Sequence, residues 1–303
     1  MAQAAVMSEE EIVKLFDTCS NWGRWGEDDE LGTLNYITPR KRLEAARLVQ
    51  TGEAFSLEIP LSTRQWENNP RPVQHIMVYE QHRPISALDY IGVFPHGFAV
   101  THLDAITHVY WEDKAYNGRD AGEICTNTGL TFGSIFSQRD GIFTRGVLLD
   151  VAGARGIDWL PPTETIMPGD LEAAEHFGKM HVESGDALFV RVGLGAREAA
   201  EGPENLAERA GLGPEAVQWL HDREVAVYSG DCVDKIPYPS ARVPLPLHMI
   251  GLVAMGLVML DITDMERLSK ACRRNGRYEF LLSVAPLALP RATGSPVNPT
   301  VVF

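Results

Sequence analysis

His102, Asp104 and His108, gathered in Thr101-His102-Leu103-Asp104-Ala105-Ile106-Thr107-His108, are the residues of this chain best placed to do chemistry. An imidazole and a carboxylate two residues apart point to the same side of an extended strand, with Cα atoms roughly 6–7 Å apart, near enough to share one metal ion. His108 would lie about 20 Å from His102 if the strand ran on, so it joins the same site only if the chain turns near Ala105–Thr107. The chemistry such a trio suits is metal-assisted hydrolysis. Taken alone, the same eight residues also fit a hydrogen-bonded His/Asp cluster at a strand end.

The elements around the trio are legible in part. Ser8-Glu9-Glu10-Glu11 fits a capping box that opens a helix ending before Cys19. Trp22 and Trp25, set among glycines, predict an ordered loop whose indoles pack on the domain, a second subunit or a ligand. Thr38-Pro39 caps a helix expected over Arg40–Gln50, with Leu43, Ala45, Ala46 and Val49 on one face and Gly52 as its stop. Glu53–Pro60 and Val73–Tyr79 read as strands, joined through Asn68-Asn69-Pro70-Arg71-Pro72, a segment suited to a mobile lid. Gly146–Val151 and Asp186–Val192 are compact apolar runs expected as buried central strands. Asp170 is expected to cap a helix over Leu171–Phe177, Pro214 to start one at Glu215–His221, and Glu224–Tyr228 to form another strand. Alternating strands and helices predict an α/β layer structure, with additional antiparallel pairing in the first third. No repeat or low-complexity tract is visible and no linker is long enough to force a domain boundary, so residues 1–303 read as one domain, with 1–52 a helical, Trp-rich arm packing on it.

Composition narrows the function classes. The 303 residues are 45% hydrophobic and 22% charged, which suits a globular protein with a large core. A net charge of −14 leaves no basic footprint for nucleic acid or anionic membrane. Cys19, Cys125, Cys232 and Cys272 stand far apart and read as buried free thiols. The first ten residues lack a signal-peptide pattern, and the longest apolar stretch, Met249–Leu260, is too short for a membrane span, so the expected location is the cytoplasm. GxSxG, GxxxxGK[ST] and HExxH are absent, and Glu198 stands where the third glycine of a dinucleotide fingerprint after Gly193 and Gly195 would be. His248, at the head of an apolar helix, and Asp261, after Val258-Met259-Leu260, are the remaining polar groups in apolar surroundings.

The string from Thr101 to His108, followed by Tyr116-Asn117-Gly118, resembles the signature of the cyclase family of metal-dependent hydrolases, the group that includes bacterial kynurenine formamidase and isatin hydrolase. Trp25–Asn35, Ile166–Leu171 and the tail Gly294-Ser295-Pro296-Val297-Asn298-Pro299 resemble the longer-chain members too. The resemblance implies a swivelling β/β/α-type core with a mixed, barrel-like sheet flanked by helices. It also implies a homodimer or homotetramer, and a divalent metal, Zn or Mn. The implied activity is hydrolysis of an amide, lactam or ester bond in a small cyclic or aromatic substrate by metal-activated water.

In the family motif HxxxHxDxxxH, His102 and Asp104 match metal ligands and His108 matches the general acid/base. His248 and, less closely, Asp261 match a second pair of ligands. Phe98 falls on the first ligand position, which phenylalanine cannot fill. Either fewer ligands hold the ion, or His96, two residues earlier, reaches in across a bulge, or this branch binds metal weakly or not at all. Trp66 falls where some members place an aromatic against the substrate, and Phe98 is a second candidate for that contact. A metal-poor small-molecule binding protein on the same fold, or a lyase or cyclising enzyme using His108, is the alternative.

Overall fold

Gly146–Val151 and Asp186–Val192, the two apolar runs, contribute neighbouring strands at the centre of one sheet, in a computed structural model that describes residues 7–78 and 85–303. In chain order, the strands of three residues or more are β1 (Ala54–Ser56), the hairpin pair β2 (Gln74–Val78) and β3 (Leu88–Gly92), β4 (His102–Asp104), β5 (Ile142–Asp150), β6 (Ala187–Arg191), β7 (Val227–Gly230), β8 (Val258–Asp261), β9 (Glu279–Val284), β10 (Gly294–Pro296) and β11 (Thr300–Val302). All except the hairpin form a mixed nine-stranded sheet, ordered β1-β11-β9-β5-β6-β7-β8-β4-β10 and curled into a half-barrel. The steps from β5 through β8 are parallel, as the α/β reading expects, and the others are antiparallel; the sheet's antiparallel strands come mostly from the end of the chain, β9 to β11, rather than from its first third. Every residue of β6, β7 and β8 is buried, because parallel strands carry cover on both faces.

Helices flank the sheet: α1 (Glu9–Thr18), α2 (Pro39–Ala46), α3 (Pro168–Gly178), α4 (Leu194–Glu201), α5 (Pro214–Asp222) and α6 (Met265–Asn275). The capping box at Ser8 and Glu11 is present, and α1 stops at Thr18 as its sequence predicts. Asp150, at the end of β5, binds Arg191 of β6 at 2.8 Å and accepts from Ser269 of α6 at 2.8 Å, tying the parallel strands to that helix.

Several boundaries differ from the sequence expectation. The second helix ends at Ala46, not Gln50, and Leu43 and Val49 face solvent; only Ala45 of the predicted apolar face is fully buried. A single buried alanine cannot hold the last turn against fraying. Asp170 is not the cap of α3 but its third residue; its carboxylate accepts from the Met167 N–H at 3.0 Å. The strand expected over Glu224–Tyr228 runs Val227–Gly230. Cys125 is exposed, whereas the other three thiols are buried. Tyr79, the end of one expected strand, and Met1–Val6 lie outside the described residues.

The Trp-rich arm packs on its own domain. Trp22 Nε1 donates to the Val253 carbonyl at 2.7 Å and Asn21 Nδ2 to that of Met255 at 2.9 Å. Gly32, at φ 55°, passes so close to Gly256 that a Cβ there would lie 2.1 Å from its carbonyl oxygen. These contacts brace Met249–Met255, a buried π-helical stretch that begins immediately after His248. Among the described residues no helix is long and apolar enough to cross a membrane.

Candidate metal centre

The candidate residues converge where β4 lies against β8. Antiparallel register sets His102 opposite Asp261, and β10 sets Gly294 opposite Asp104. His102 and Asp104 share a face of β4, and both are buried. Ile106 and Thr107 form the turn the sequence requires, closed by the His108 N–H donating to the Ala105 carbonyl at 2.9 Å, and His108 comes back to the cluster.

His96 stands where the Phe98 departure left a gap. Residues 96–100 form a run of bends in which Gly97 takes φ 130°, a conformation open to glycine, and this turns His96 inward. The expected bulge is thus a bend ahead of β4, not a defect within it. His96 Nδ1 lies 2.9 Å from Asp104 Oδ1, and Nε2 is held by Thr293 Oγ1 at 2.9 Å. Its ring is stacked parallel on that of His108 at 3.7 Å. Gly294 makes this approach feasible: a Cβ there would fall 2.6 Å from His96 Cε1.

Two groups of donor atoms meet at Asp104. His96, His102 and Asp104 form one; Asp104, His248 and Asp261 form the other. His102 Nδ1 faces the Val100 carbonyl at 2.8 Å, which leaves Nε2 to face Asp104 Oδ1 at 3.5 Å. His248 Nδ1 bonds Asp234, while its Nε2 lies 3.3 Å from Asp261 Oδ2 and 3.9 Å from Asp104 Oδ2. Asp234 also accepts from the Leu247 N–H at 2.6 Å, so one carboxylate fixes both the start of the helical segment and the ring orientation of His248.

The 2.9 Å contact between His96 Nδ1 and Asp104 Oδ1 is not aligned as a hydrogen bond, so both Asp104 oxygens and His96 Nδ1 are buried without a well-aligned partner. Buried carboxylate oxygens are costly to leave unsatisfied, and imidazole and carboxylate donors are the set that Zn²⁺ or Mn²⁺ accepts, so these residues fit a divalent cation. Electrostatics agree. Burial opposes the charge on Asp104, but the surrounding His96, His102, His108 and His248 hold its carboxyl far below the usual range. Burial would lower His248 as well, yet Asp234 and Asp261 overcome it and hold the imidazole well above its ordinary value. His108 is pushed down to about 4, mainly by burial, with Asp104 opposing, so its ring is neutral at neutral pH and able to accept a proton.

A cavity of about 190 Å³ opens over this cluster, bounded by Phe98, Val109, Arg209, Val233, Ile236 and Leu245 beside the polar groups. Phe98 and Arg209 separate it from a larger one of about 380 Å³, where Trp66 lies. Both cavities sit beyond the carboxyl ends of β7 and β8, and the larger one reaches the end of β6 as well, the usual position of ligand sites in such sheets. Asn68 and Asn69 of the expected lid are buried and hydrogen-bonded, Asn68 Nδ2 to the Glu204 carbonyl at 3.0 Å and Asn69 Nδ2 to that of Arg64 at 2.8 Å, so the segment is anchored. Thr293, Asp234 and Arg209 carry no signal in the sequence that marks them for the site. Gly294 carries one, as part of the tail motif.

The Cyclase family model matches residues 55–235. A crystal structure described as a novel cyclase superposes with a TM-score of 0.82 at 32% identity, covering 94% of this chain and 100% of its own. An isatin hydrolase bound to the product analogue thioisatinate gives a TM-score of 0.58 at 16% identity, covering 88% of this chain and 99% of its own. Isatin hydrolase A from Labrenzia aggregata, bound to benzyl benzoate, gives 0.58 at 19% identity, covering 85% and 94%. These two share the fold. No curated protein sequence matches. The matched span and the full-length 32% relative establish that this chain belongs to the cyclase family.

Proposed function

We propose that the chain is a metal-dependent hydrolase of an amide, lactam or ester bond in a small cyclic or aromatic substrate. The observation that carries this reading is Asp104, whose two oxygens are buried without hydrogen-bond partners amid four imidazoles. His96, His102 and Asp104 would hold one ion, Zn or Mn, and Asp104, His248 and Asp261 a second. A bound divalent ion supplies the Lewis acidity that polarises a carbonyl and brings water within reach of deprotonation at neutral pH. His108 accepts the proton of the attacking water and returns it to the leaving nitrogen or oxygen. Asp234 keeps the His248 ring in place. A cavity of about 190 Å³ suits one aromatic or heterocyclic ring, since an apolar cavity of about 150 Å³ holds benzene.

His96 answers the argument that Phe98 made for a metal-poor binding protein, because it brings an imidazole to the place where the motif lacks one. Assembly as a homodimer or homotetramer belongs to the same reading; its support is the hairpin of β2 and β3, a separate two-stranded sheet with its apolar side chains exposed. The deciding experiment is metal analysis of purified, chelator-treated and Zn- or Mn-reconstituted protein, beside a panel of cyclic amides and aryl esters. The expected result is a bound divalent ion, turnover lost with chelator and restored by reconstitution, and a product one water heavier than its substrate. Failure of every metal to bind or to restore turnover overturns the proposal.

A further inference from the structure

We infer that Arg209 selects the substrate by gripping a carboxylate, so that the chain acts on organic acids whose carboxylate is separate from the carbonyl to be cleaved. The inference rests on the hydrolase reading and narrows it to a substrate class. Arg209 is immobilised on every side except one. Its side chain is 3% exposed, its N–H donates to the Ile236 carbonyl at 2.8 Å, and its own carbonyl accepts from the Ile236 N–H at 3.1 Å. Nε donates to Glu204 Oε1 at 2.8 Å, and the Phe98 ring covers one face of the guanidinium at 4.4 Å. Among the described residues no acceptor meets its two Nη groups.

The residue borders both the cavity over Asp104 and the larger one beside it. A guanidinium held by Nε and one face presents its Nη edge as a planar fork, which a carboxylate matches through two parallel hydrogen bonds. Among the described residues, the carboxylates lining the larger cavity are already engaged. Glu204 is shared with Arg197, 3.6 Å away. On the walls of the larger cavity, Asp231 accepts from the N–H groups of Val192, Gly193 and Leu194, Glu266 binds Arg191, Asp264 caps α6, and Glu198 accepts from the Glu204 N–H. A buried cation short of a counter-ion is costly, and an anionic ligand offsets that cost. The ligand's ring then occupies the space beneath Phe98, with its carboxylate at Arg209 and its scissile carbonyl toward Asp104.

Benzoate and benzamide test this, being the same ring with and without charge. Calorimetric titration of chelator-treated protein reads Arg209 without a metal to compete for the carboxylate. Wild type is expected to bind benzoate about tenfold or more tighter than benzamide; Arg209→Met abolishes the preference with benzamide affinity held within about twofold, and Arg209→Lys keeps part of it. Equal binding of the two compounds by wild type, absence of benzoate binding, or a preference that survives in both variants overturns the inference. The wild-type comparison needs no variant to fold. Turnover by metal-loaded protein is a separate readout: a benzoate preference without hydrolysis of any substrate sinks the hydrolase reading and leaves the role of Arg209 standing.

Discussion

At the residue scale, the proposed mechanism divides labour between groups that would hold an ion and one that would move a proton. His96, His102, Asp104, His248 and Asp261 would supply the donor atoms, and all three imidazoles are oriented through their other nitrogen, His96 by Thr293, His102 by the Val100 carbonyl and His248 by Asp234. Among the described residues His108 has no such anchor, and its ring stacks on that of His96. Two substitutions separate these roles. His108→Ala is expected to leave metal content near wild type while lowering kcat by about 10²–10⁴-fold. Asp234→Asn is expected to weaken metal affinity by about 10–100-fold, and activity should return when metal is added in excess. Metal content by emission spectrometry alongside kcat checks both; loss of metal in the first variant, or unchanged affinity in the second, reverses the assignment. Phe98 has exchanged a place in the ligand motif for one against Arg209.

At the scale of elements, short strands carry the site and long ones carry the load. β4 has only three residues, held between β8 and β10, so its register rests on neighbours that the parallel core keeps in line. Asp150 is central to that core, accepting from Arg191, Ser269, Arg273 and the Gly153 N–H. Burial works against its charge, but Arg191 and the other donors hold its carboxyl below the ordinary 3.8. Because the folded value lies below the unfolded one, the stability it contributes is present above that pH and is lost on acidification. Asp150→Ala is therefore expected to cost about 3 kcal/mol at neutral pH, with the gap to wild type narrowing below about pH 5. Urea midpoints measured across that range provide the check, and a gap independent of pH would contradict it.

At the scale of the whole molecule, the arm and the hairpin have opposite fates. The arm is bound to its own domain through Asn21, Trp22 and Gly32 and braces the helical stretch after His248. The hairpin has every residue of β2 exposed, and Ile76, Met77, Val78, Leu88, Tyr90 and Ile91 are each more than half uncovered. A two-stranded hairpin is marginal in water without a covering surface, and an apolar patch of this kind marks an interaction site. The expected cover is a second copy of the chain. Light scattering should give a dimer or tetramer for the wild type, and Ile76→Ser with Ile91→Ser should shift it toward monomer; a monomeric wild type at micromolar concentration would refute the assembly.

How much was legible in advance follows from how local each feature is. The cap at Ser8, the proline-started helices, the two central apolar runs and the pairing of His102 with Asp104 depend on residues a few positions apart, so strand and helix periods expose them directly. The turn after Asp104 followed from length alone, since His108 has no other route back. Family resemblance added His248 and Asp261, which no spacing rule connects to β4. The rest was decided by tertiary contact. His96 reaches Asp104 because Gly97 bends and Gly294, nearly two hundred positions later, leaves room; Asp234 and Arg209 become meaningful only once the ends of the parallel strands are brought together. A donor set drawn from residues 96 to 261 has no period, and its geometry exists only when the curled sheet closes its distant segments onto Asp104.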